Sequence, residues 1–456
     1  MRSRRAKVLH ELGGEPIIVR LLRQIGAGKE SPVVIVVGYQ ANEVEAVVRN
    51  SFPDSQIRFA LQSEQRGTGD ALRVGLQSLP ADFDGGAIVL YGDVPRISAA
   101  TLRDFSSAVD RDGDSGFGFI SVKLDDGSAY GRVIRDSSGH VDAIVEARDA
   151  SPAELKIREI NTGTYYFPRV KNLRDMFAEL KPNNAQGEYY LTDLVAIARR
   201  RGLNVEAWIA NDPAEFANIN SREELAEMEA QIRASVNRKL MEKGVTLVDP
   251  ATAYISEQAE IAPDCVIGPG VQIIGKCKLG EGVRIDGTAW LSNVTIGPRC
   301  HLKLGVRAED CVIGEDSEIG PFANLRAGTE LAGHNRIGNF VETKKARIGR
   351  GTKASHLSYL GDATIGADTN VGCGVITVNY DGYDKHQTVI GDRCMVGCDT
   401  QLVAPVKVGN DVYVASGTTI VREVADGALV MSHHPQREKS GWMATWRKRH
   451  GDNSPG

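Results

Sequence analysis

Residues 312–320 read VIGEDSEIG, in which an aliphatic residue is followed by glycine twice, six positions apart. Related stretches are TIGADTNVG at 364–372 and VIGDRCMVG at 389–397. The aliphatic residues continue in three unbroken registers of period six: Ile255, Ile261, Ile267, Ile273, Leu279, Ile285 and Leu291; Ile313, Ile319, Leu325, Leu331 and Ile337; and Ile390, Val396, Leu402, Val408, Val414 and Ile420. This period indicates the hexapeptide repeat of a parallel β-helix.

The repeat has a direct physical explanation. Each aliphatic side chain would point into the axis of a triangular coil, and the small residue beside it permits a tight bend to the next face. Ordinary sandwich strands would instead alternate with a period of two and have irregular turn spacing. We therefore expect a left-handed parallel β-helix over residues 245–456, because the hexapeptide proteins coil in that sense.

The first 220 residues follow a different pattern, in which short β-rich runs alternate with helical stretches. PVVIVVGY at 32–39 and GAIVLYGD at 86–93 predict strands, and GDALRVGLQSL at 69–79 predicts a helix. This alternation predicts a Rossmann-like α/β nucleotidyltransferase domain with a mostly parallel sheet over residues 1–220. Residues 221–244, SREELAEMEAQIRASVNRKLMEKG, begin with a capping Ser and end at a Gly, and they predict a linker helix.

Composition excludes several classes of function. The 456 residues carry a net charge of -5 with acidic and basic residues interspersed, so no field attracts a nucleic acid or an anionic membrane. The aliphatic runs are far shorter than the roughly 20 residues that span a bilayer, and no charged-then-apolar leader opens the chain, which indicates a cytoplasmic protein. The seven cysteines, from Cys265 to Cys398, lack metal-type spacing and indicate buried or site-lining thiols.

A first candidate site follows the run at 86–93. Asp93 stands at the carboxyl end of the predicted strand, where open α/β sheets bind ligands, and a carboxylate there can hold Mg²⁺ between phosphate oxygens. A helix cap or turn residue is the alternative for such an Asp. LQSEQRGTGDAL at 61–72 adds a Gly-Thr-Gly turn entering a helix, where backbone N–H groups can approach a ligand.

Short runs, taken in order, carry a resemblance to a known family. They are KVLHELGG at 7–14, LQSEQRGTGDAL at 61–72, YGDVP at 91–95, YGRVI at 130–134, IVEARDA at 144–150, EINTG at 159–163, NNAQGEYYLTD at 183–193 and NINSR at 218–222. Over essentially its whole length the chain resembles the bifunctional N-acetylglucosamine-1-phosphate uridylyltransferase and glucosamine-1-phosphate N-acetyltransferase of bacterial cell-wall precursor synthesis. The resemblance implies acetyl-CoA-dependent N-acetylation of glucosamine 1-phosphate, then uridylyl transfer from UTP to N-acetylglucosamine 1-phosphate.

In the family's uridylyl transfer, the sugar phosphate attacks the α-phosphorus of UTP and releases pyrophosphate. The residues that the resemblance implies are Lys7 for phosphate, Gln62, Gly67 and Thr68 for the uracil, Asp93 and Asn220 for Mg²⁺, and Gly131, Glu146 and Asn161 for the amino sugar. Phosphoryl chemistry needs mainly positioning and charge neutralisation, which suits one Lys, one metal and many amides.

The start of the chain departs from the family. There a strand and a signature resembling L-A-A-G-x-G-T-R-M precede KVLH, whereas only MRSRR stands before Ala6. We expect the first strand and the Gly-rich phosphate loop to be missing, either because Met1 is an internal Met of a longer reading frame or because the protein is truncated. From that departure we predict weak or no uridylyl transfer.

A second candidate site lies in the β-helix half. Amide formation from an amine and a thioester needs a base for the proton of the attacking nitrogen and cations to hold a sugar phosphate. His356 is the natural base, and Arg326, Lys344 and Lys385 are a candidate phosphate clamp. A structural histidine is the alternative. VNYDGYDKHQTV at 378–389 breaks the repeat, either as a solvated loop or as a loop that reaches a neighbouring chain.

For acetyl transfer, the resemblance implies a larger set of residues. It implies His356 as general base, with Glu342 nearby. It implies that glucosamine 1-phosphate is bound by Arg326, Lys344, Tyr359, Asn370 and Lys385. Asn379 and Tyr380 would lie where acetyl-CoA meets the amino sugar, and the acetyl-CoA positions are Cys373, Cys398, Ser416 and His433. At the last four the family commonly has Ala, Ser, Ala and Arg, so we expect altered acetyl-CoA affinity or pH dependence. The family's site lies between the chains of a homotrimer.

Two other interpretations stay open at this point. A non-catalytic scaffold subunit would combine a nucleotidyltransferase-like domain with a hexapeptide helix, but it has no physical reason to hold His356 and three basic partners together. A related sugar-phosphate nucleotidyltransferase whose β-helix only oligomerises requires neither a long helix nor a second set of motifs. The leading hypothesis is a bifunctional, cytoplasmic, homotrimeric transferase with no nucleic-acid partner and no membrane insertion.

Overall fold

The computed structural model describes residues 1, 3–28, 32–110, 115–127, 130–182, 187–432 and 436–450. The chain divides into two compact units, Met1–Gln231 and Ile232–Gly456. Within the described residues, no helix combines the length and the apolar character that crossing a bilayer requires.

The first unit is an α/β domain. Its helices are Ile17–Gln24, Ala41–Ser51, Thr68–Gln77, Ala99–Asp110, Val170–Phe177 and Leu194–Arg200, with 3-10 turns at Lys7–Leu9, Glu154–Lys156, Leu191–Asp193 and Pro213–Phe216. The main sheet has the spatial order Asn204–Ile209, Ser115–Lys123, Glu159–Phe167, Arg132–Arg135 and Val141–Val145, and Ala87–Val89 pairs with Glu159–Phe167. Val33–Val37 pairs in parallel with Ile57–Leu61 in a separate sheet, and Glu11–Leu12 pairs with Glu15–Pro16.

The main sheet is of mixed direction, so the mostly parallel sheet that the sequence predicted was wrong. Glu159–Phe167 runs antiparallel to Ser115–Lys123, and Arg132–Arg135 runs antiparallel to Val141–Val145. The second pair is joined by residues 136–140 alone. Parallel neighbours need a crossover of about a dozen residues or more, so a connection this short can only form a hairpin.

A long helix, Arg222–Glu242, follows the α/β elements. Ser221 and Glu224 form a capping box at its start, in which Ser221 Oγ accepts from the Glu224 N–H at 3.0 Å and Glu224 Oε2 accepts from the Ser221 N–H at 3.1 Å. After its end, Gly244 has a φ of 89° and its N–H donates to the Met241 carbonyl at 3.0 Å. Both ends of the helix therefore have a local chemical cause.

The second unit is a parallel β-helix whose strands stack in three columns. The first column contains Thr246–Leu247, Val266–Ile267, Arg284–Ile285, His301–Leu302, Glu318–Ile319, Asn370–Val371, Met395–Val396, Tyr413–Val414 and Leu429–Val430. The second contains Tyr254–Ile255, Gln272–Ile274, Trp290–Ser292, Arg307–Glu309, Asn324–Leu325, Ile376–Val378, Gln401–Val403 and Thr419–Ile420. The third contains Glu260–Ile261, Lys278–Leu279, Thr295–Ile296, Val312–Ile313, Glu330–Leu331, Arg347–Ile348, Ala363–Ile365, Thr388–Ile390 and Val406–Val408. Two long strands, Arg336–Lys344 and Lys353–Gly361, run through the first and second columns, and a helix, Trp442–His450, follows the coils.

The period of six is confirmed as the inward-facing register of these coils. Every residue of the three ladders is buried; Ile267, Ile313 and Val396, one from each ladder, are at most 1% exposed. Equivalent residues stack coil on coil, as Ile267 does on Ile285. Small residues are needed where the coils touch, since a Cβ on Gly338 would lie 1.9 Å from the carbonyl oxygen of residue 355.

The stretch that breaks the repeat is ordered by its own hydrogen bonds. Tyr380 and Lys385 form an antiparallel bridge. The Asp381 carboxylate accepts hydrogen bonds from the Asp384 N–H and from the His386 imidazole, each 2.7 Å long, and hydrogen bonding of this kind holds the pKa of Asp381 well below its usual range. The loop therefore leaves the coil as a small closed hairpin that positions Lys385.

Candidate functional sites

Lys7, Asp93 and Asn220 meet in the first unit although they are far apart in sequence. Lys7 Nζ lies 2.5 Å from Asp93 Oδ2 and 2.9 Å from Asn220 Oδ1. Asp93 follows the strand Ala87–Val89 and is 9% exposed, while Asn220 directly precedes the cap of the helix that begins at Arg222. The fold thus places a carboxylate, an amide oxygen and an ammonium group together at the end of a strand.

The second oxygen of Asp93 has a different environment. Asp93 Oδ1 is buried and has no hydrogen-bond partner within the described residues. A buried carboxylate oxygen without a partner is costly, so a ligand there would be stabilising. The Asp93 carboxylate and the Asn220 amide oxygen, both next to Lys7 Nζ, are oxygen ligands of the kind that Mg²⁺ prefers. The donor set at this position therefore fits a magnesium ion.

The Gly-Thr-Gly turn packs against the chain at Tyr189. Gly67 has a φ of 101°, and a Cβ there would lie 2.7 Å from the Tyr189 carbonyl oxygen, so only glycine fits. The Gly69 N–H donates to the same carbonyl at 2.7 Å. Gln62 Nε2 donates to the Gly67 carbonyl at 3.3 Å and to Asp70 Oδ2 at 3.0 Å. These bonds bring Gln62 and the turn together in one rigid surface.

Gly131, Glu146 and Asn161 form another group in the same unit. The Asn161 N–H donates to the Gly131 carbonyl at 2.8 Å, and Asn161 Nδ2 donates to the Tyr165 hydroxyl at 2.7 Å. A Cβ on Gly131 would stand 3.5 Å from Glu146 Oε2. Burial raises the pKa of Glu146, although a hydrogen bond of 3.2 Å from the Thr192 hydroxyl opposes the shift. The group offers a carboxylate and an amide in a largely dry environment.

Tyr91 lies between the Gly-Thr-Gly turn and the group that contains Glu146, and it was not among the predicted site residues. Burial raises its pKa to about 12, the nearby charge of Glu146 adds to the rise, and a hydrogen bond with Thr68 opposes it. A Cβ on Gly163 would lie 2.1 Å from the Tyr91 ring, so the ring packs directly on that backbone. The available signal was its position in YGDVP, two residues before Asp93.

In the β-helix, a cationic group forms at the corner between the second and third columns. Arg326 Nη1 lies 2.7 Å from Glu342 Oε1, and this hydrogen bond raises the pKa of Arg326. The side chains of Lys344 and Lys385 contact each other, which lowers the pKa of Lys385. Two ammonium groups this close repel each other, and a bound phosphate dianion would relieve the repulsion. Arg326, Lys344 and Lys385 thus form a surface for an anion.

The inserted loop is tied to this corner by Asn379. Asn379 Nδ2 lies 2.5 Å from Asp362 Oδ2 and 3.5 Å from the Tyr359 hydroxyl. Asp362, which has a φ of 46° at the bend, was not predicted as a site residue; the Gly-Asp pair that interrupts the coil just before residue 364 was the available signal. Tyr380 instead points outward and is 56% exposed.

His356 lies at a different corner, between the first and second columns. It stands opposite Asn339 of the preceding coil, is exposed, and has no hydrogen-bond partner for its imidazole within the described part of the chain. Cys373, Cys398 and Ser416 take the equivalent position in the coils that follow, each two residues beyond a registered strand pair. These side chains form one outward-facing row along the helix.

Within one chain, the residues predicted for acetyl transfer fall into two groups. His356 and Tyr359 share the strand Lys353–Gly361, but His356 lies at the corner and Tyr359 lies on the second column, opposite Ile376. Asn370 lies on the first column, away from the cationic corner. His433 lies outside the described residues.

Comparisons with known proteins cover both units. A nucleotidyl transferase family model matches residues 2–212, a GMPPB C-terminal domain model matches residues 250–348, and a bacterial transferase hexapeptide model of six repeats matches residues 387–422. The bifunctional protein GlmU of Pelobacter propionicus is 44% identical over 449 residues, which cover 98% of this chain and 96% of that protein. The proteins of the same name from Trichlorobacter lovleyi and Burkholderia vietnamiensis are 43% and 42% identical and are covered over 95% and 97% of their lengths.

Proposed function

The chain belongs to the family of the bifunctional protein GlmU, and from that premise we propose that it makes UDP-N-acetylglucosamine in two steps. In the first, acetyl-CoA N-acetylates glucosamine 1-phosphate. In the second, UTP transfers its uridylyl group to the N-acetylglucosamine 1-phosphate and pyrophosphate leaves. The alternative of a non-catalytic scaffold is not favoured, because a scaffold gives no reason for Lys344 and Lys385 to lie side by side.

The uridylyltransferase step is assigned to the first unit; the departure at the start of the chain predicts a low rate for it, and the changes expected in the variants are relative to that rate. Lys7 would pair with the triphosphate, the turn at Gly67 and Gln62 would frame the base, and Glu146 and Asn161 would receive the polar groups of the sugar. Mg²⁺ held by Asp93 and Asn220 would neutralise charge on the phosphate oxygens. The partnerless, buried Asp93 Oδ1 is the observation that supports a metal there.

The acetyltransferase step is assigned to the β-helix. The amine of the sugar attacks the thioester carbonyl and His356 accepts the proton that the nitrogen loses; the C–S bond breaks, and the sulfur takes up that proton so that CoA leaves as the thiol. Arg326, Lys344 and Lys385 hold the sugar phosphate during this step and so keep the amine in reach of the thioester. The hairpin that carries Lys385 stays in place because Asn379 anchors it on the coil.

We propose that the acetyltransferase site is completed between chains of a homotrimer, with His356 from one chain and the cationic corner from its neighbour. The position of His356 at one corner and of the cationic group at the next supports this, and so does an apolar ridge beside His356. Phe322 and Phe340 stack with ring centroids 5.8 Å apart and are 48% and 59% exposed, and Leu357 continues the ridge at 58%. A second copy of the chain would bury this ridge.

Subunit mixing tests this assignment directly. His356→Ala and Lys344→Ala chains are each expected to lose CoA release, measured with glucosamine 1-phosphate and acetyl-CoA. An equimolar random mixture of the two variants should regain about a quarter of the native sites, because each trimer that contains both variants has one working ordered pair of neighbours out of its three. Failure of the mixture to regain activity, in samples whose mixed composition is verified by mass, would overturn the shared site.

Two controls make the result specific. Mixing His356→Ala with the double variant His356→Ala/Lys344→Ala should restore nothing, because no chain then supplies the base. Pyrophosphate release from UTP and N-acetylglucosamine 1-phosphate, measured in the same samples, reports the first unit and should not change.

We also propose the cytoplasm as the compartment, which supplies UTP and acetyl-CoA and suits seven free thiols.

A further inference from the structure

Two cysteines stack directly on each other in the row that contains His356. Val371 and Val396 are registered partners on neighbouring coils, and two residues further along come Cys373 and Cys398. The registry persists to that point, since the N–H of residue 399 donates to the Cys373 carbonyl at 2.7 Å. Parallel neighbours in a sheet lie about 4.8 Å apart. Disulfides join Cα atoms that are about 4.4–6.8 Å apart, so the spacing is suitable for one.

The same two thiols differ from the others in accessibility. Cys373 and Cys398 are exposed, whereas the remaining cysteines, which are Cys265, Cys277, Cys300, Cys311 and Cys394, are buried. Burial raises the pKa of Cys300 to about 11 and that of Cys311 to about 12, and it also raises the pKa of Cys265 and Cys277. Because the thiolate is the reactive form, the buried cysteines should resist oxidation and exchange. Reactivity is thus confined to one registered pair.

We propose that Cys373 and Cys398 form a reversible disulfide within one chain that switches off acetyl transfer. The oxidant is a low-molecular-weight disulfide such as oxidised glutathione. One cysteine thiolate attacks it and releases one thiol, and the second cysteine then displaces the remaining thiol from the mixed disulfide. In total the pair loses two protons and two electrons, and one disulfide is reduced to two thiols. Excess free thiol reverses both steps.

The effect on activity rests on the proposed acetyltransferase function. His356, Cys373, Cys398 and Ser416 occupy equivalent positions on successive coils, so the pair lies beside the base and along the row assigned to acetyl-CoA. A bridge pulls both sulfurs toward each other and removes both S–H donors. We expect acetyl transfer to fall about tenfold, which is the order that the loss of one hydrogen bond to a ligand produces. Uridylyl transfer should not change.

Mass analysis tests the bridge without any activity measurement. The full chain is equilibrated with oxidised glutathione, alkylated and digested without reduction. The expected product is a pair of linked peptides containing residues 373 and 398, about 2 Da lighter than the reduced pair. Cys373→Ser and Cys398→Ser should abolish that product, and Cys394→Ser, a buried neighbour in the same coil, should keep it. Stable glutathione adducts without a bridge, or a bridge between chains, would overturn the proposal.

Activity then separates the switch from the proposed function. We expect the reduced chain to release CoA. This activity should fall in proportion to the bridged fraction and return with dithiothreitol. Full activity in a fully bridged chain would overturn the switch and leave the acetyltransferase assignment intact. No CoA release from the reduced chain would instead overturn the acetyltransferase assignment, with the bridge still read by mass.

Discussion

The two candidate sites differ in how sequence distance relates to distance in space. Lys7, Asp93 and Asn220 are scattered over the first half of the chain, yet their side chains are within hydrogen-bonding distance. His356 and Tyr359 are three residues apart, yet one lies at a corner of the coil and the other on the next face. An α/β domain gathers strand ends from distant parts of the chain. A β-helix instead spreads neighbouring residues along its outer faces.

This difference is the reason for our proposal that one site closes within a chain and the other needs a neighbour. Outward-facing side chains of a coil diverge, since a triangular cross-section turns successive faces away from each other. Only a loop that leaves the coil, such as the hairpin carrying Lys385, or a second chain can add groups from another direction. The three variants below test this contrast, from the largest expected effect to the smallest.

Replacement of the base should have the largest effect. His356→Ala removes the group that we propose accepts the amine proton, and general-base catalysis contributes about 10²–10⁴-fold, so CoA release should fall by about a thousandfold. Pyrophosphate release should be unchanged, since it depends on the other unit. His334→Ala is the matched control, because His334 is also exposed on a β-helix corner, 3.5 Å from Asp316. Equal losses of CoA release in the two variants would mean that each substitution destabilises the coil, and that His356 is not the base.

Removal of the Asp93 charge should have the next largest effect, on the other activity. Asp93→Asn keeps the size of the side chain but deletes the carboxylate that meets Lys7 and that would hold Mg²⁺. Loss of one such electrostatic contact costs about 100-fold, so pyrophosphate release should fall by that order while CoA release stays constant. Titrating Mg²⁺ should show a higher requirement in the variant.

Asp110→Asn supplies the control for Asp93. Asp110 lies in the same unit and accepts a hydrogen bond from the Tyr166 hydroxyl at 3.0 Å. If it loses pyrophosphate release to the same extent as Asp93→Asn, the loss reflects the fold of the unit and the contrast between the two sites fails.

Much of the β-helix was predictable from the sequence, because its order is local. One inward residue per six places the coils that the three ladders cover, and the ladder that starts at Ile255 is buried as expected. The α/β sheet was harder, since the direction of Glu159–Phe167 depends on pairings with strands far away in the chain. Periodicity reports which residues are apolar but not which distant strand they will meet.

The candidate sites were predictable to different degrees for the same reason. Asp93 could be predicted because it follows a strand in the sequence. Tyr91 could not, because its place in the site depends on burial against the backbone of Gly163. Asp362 likewise matters because a loop returns to it from Asn379. No pattern in the sequence records where a loop returns, so partners of this kind need the structure.

The smallest effect is expected at Glu146, where burial raises the pKa in the folded state. A raised pKa means that the fold prefers the protonated acid, so the stability that Glu146 contributes is complete below its unfolded pKa of about 4.5 and is lost as pH rises through the folded value. Glu146→Gln mimics the protonated form at every pH. The variant should therefore match the native protein near pH 4 and melt at a higher temperature than the native protein at pH 8.

The control for Glu146 has the opposite sign. Glu154 is exposed, and hydrogen bonds from Ser151 lower its pKa, so its ionised form is the one that the fold prefers. Glu154→Gln should consequently lose stability at pH 8 relative to the native protein and approach it as pH falls below the usual range of a carboxyl. Thermal unfolding of the full chain at pH 4 and pH 8 measures both variants; with Trp290, Trp442 and Trp446 replaced by Phe in every sample, the fluorescence of Trp208 reports the first unit. Shifts of the same sign in the two would mean that net charge, and not burial at the sugar site, controls the stability of this unit.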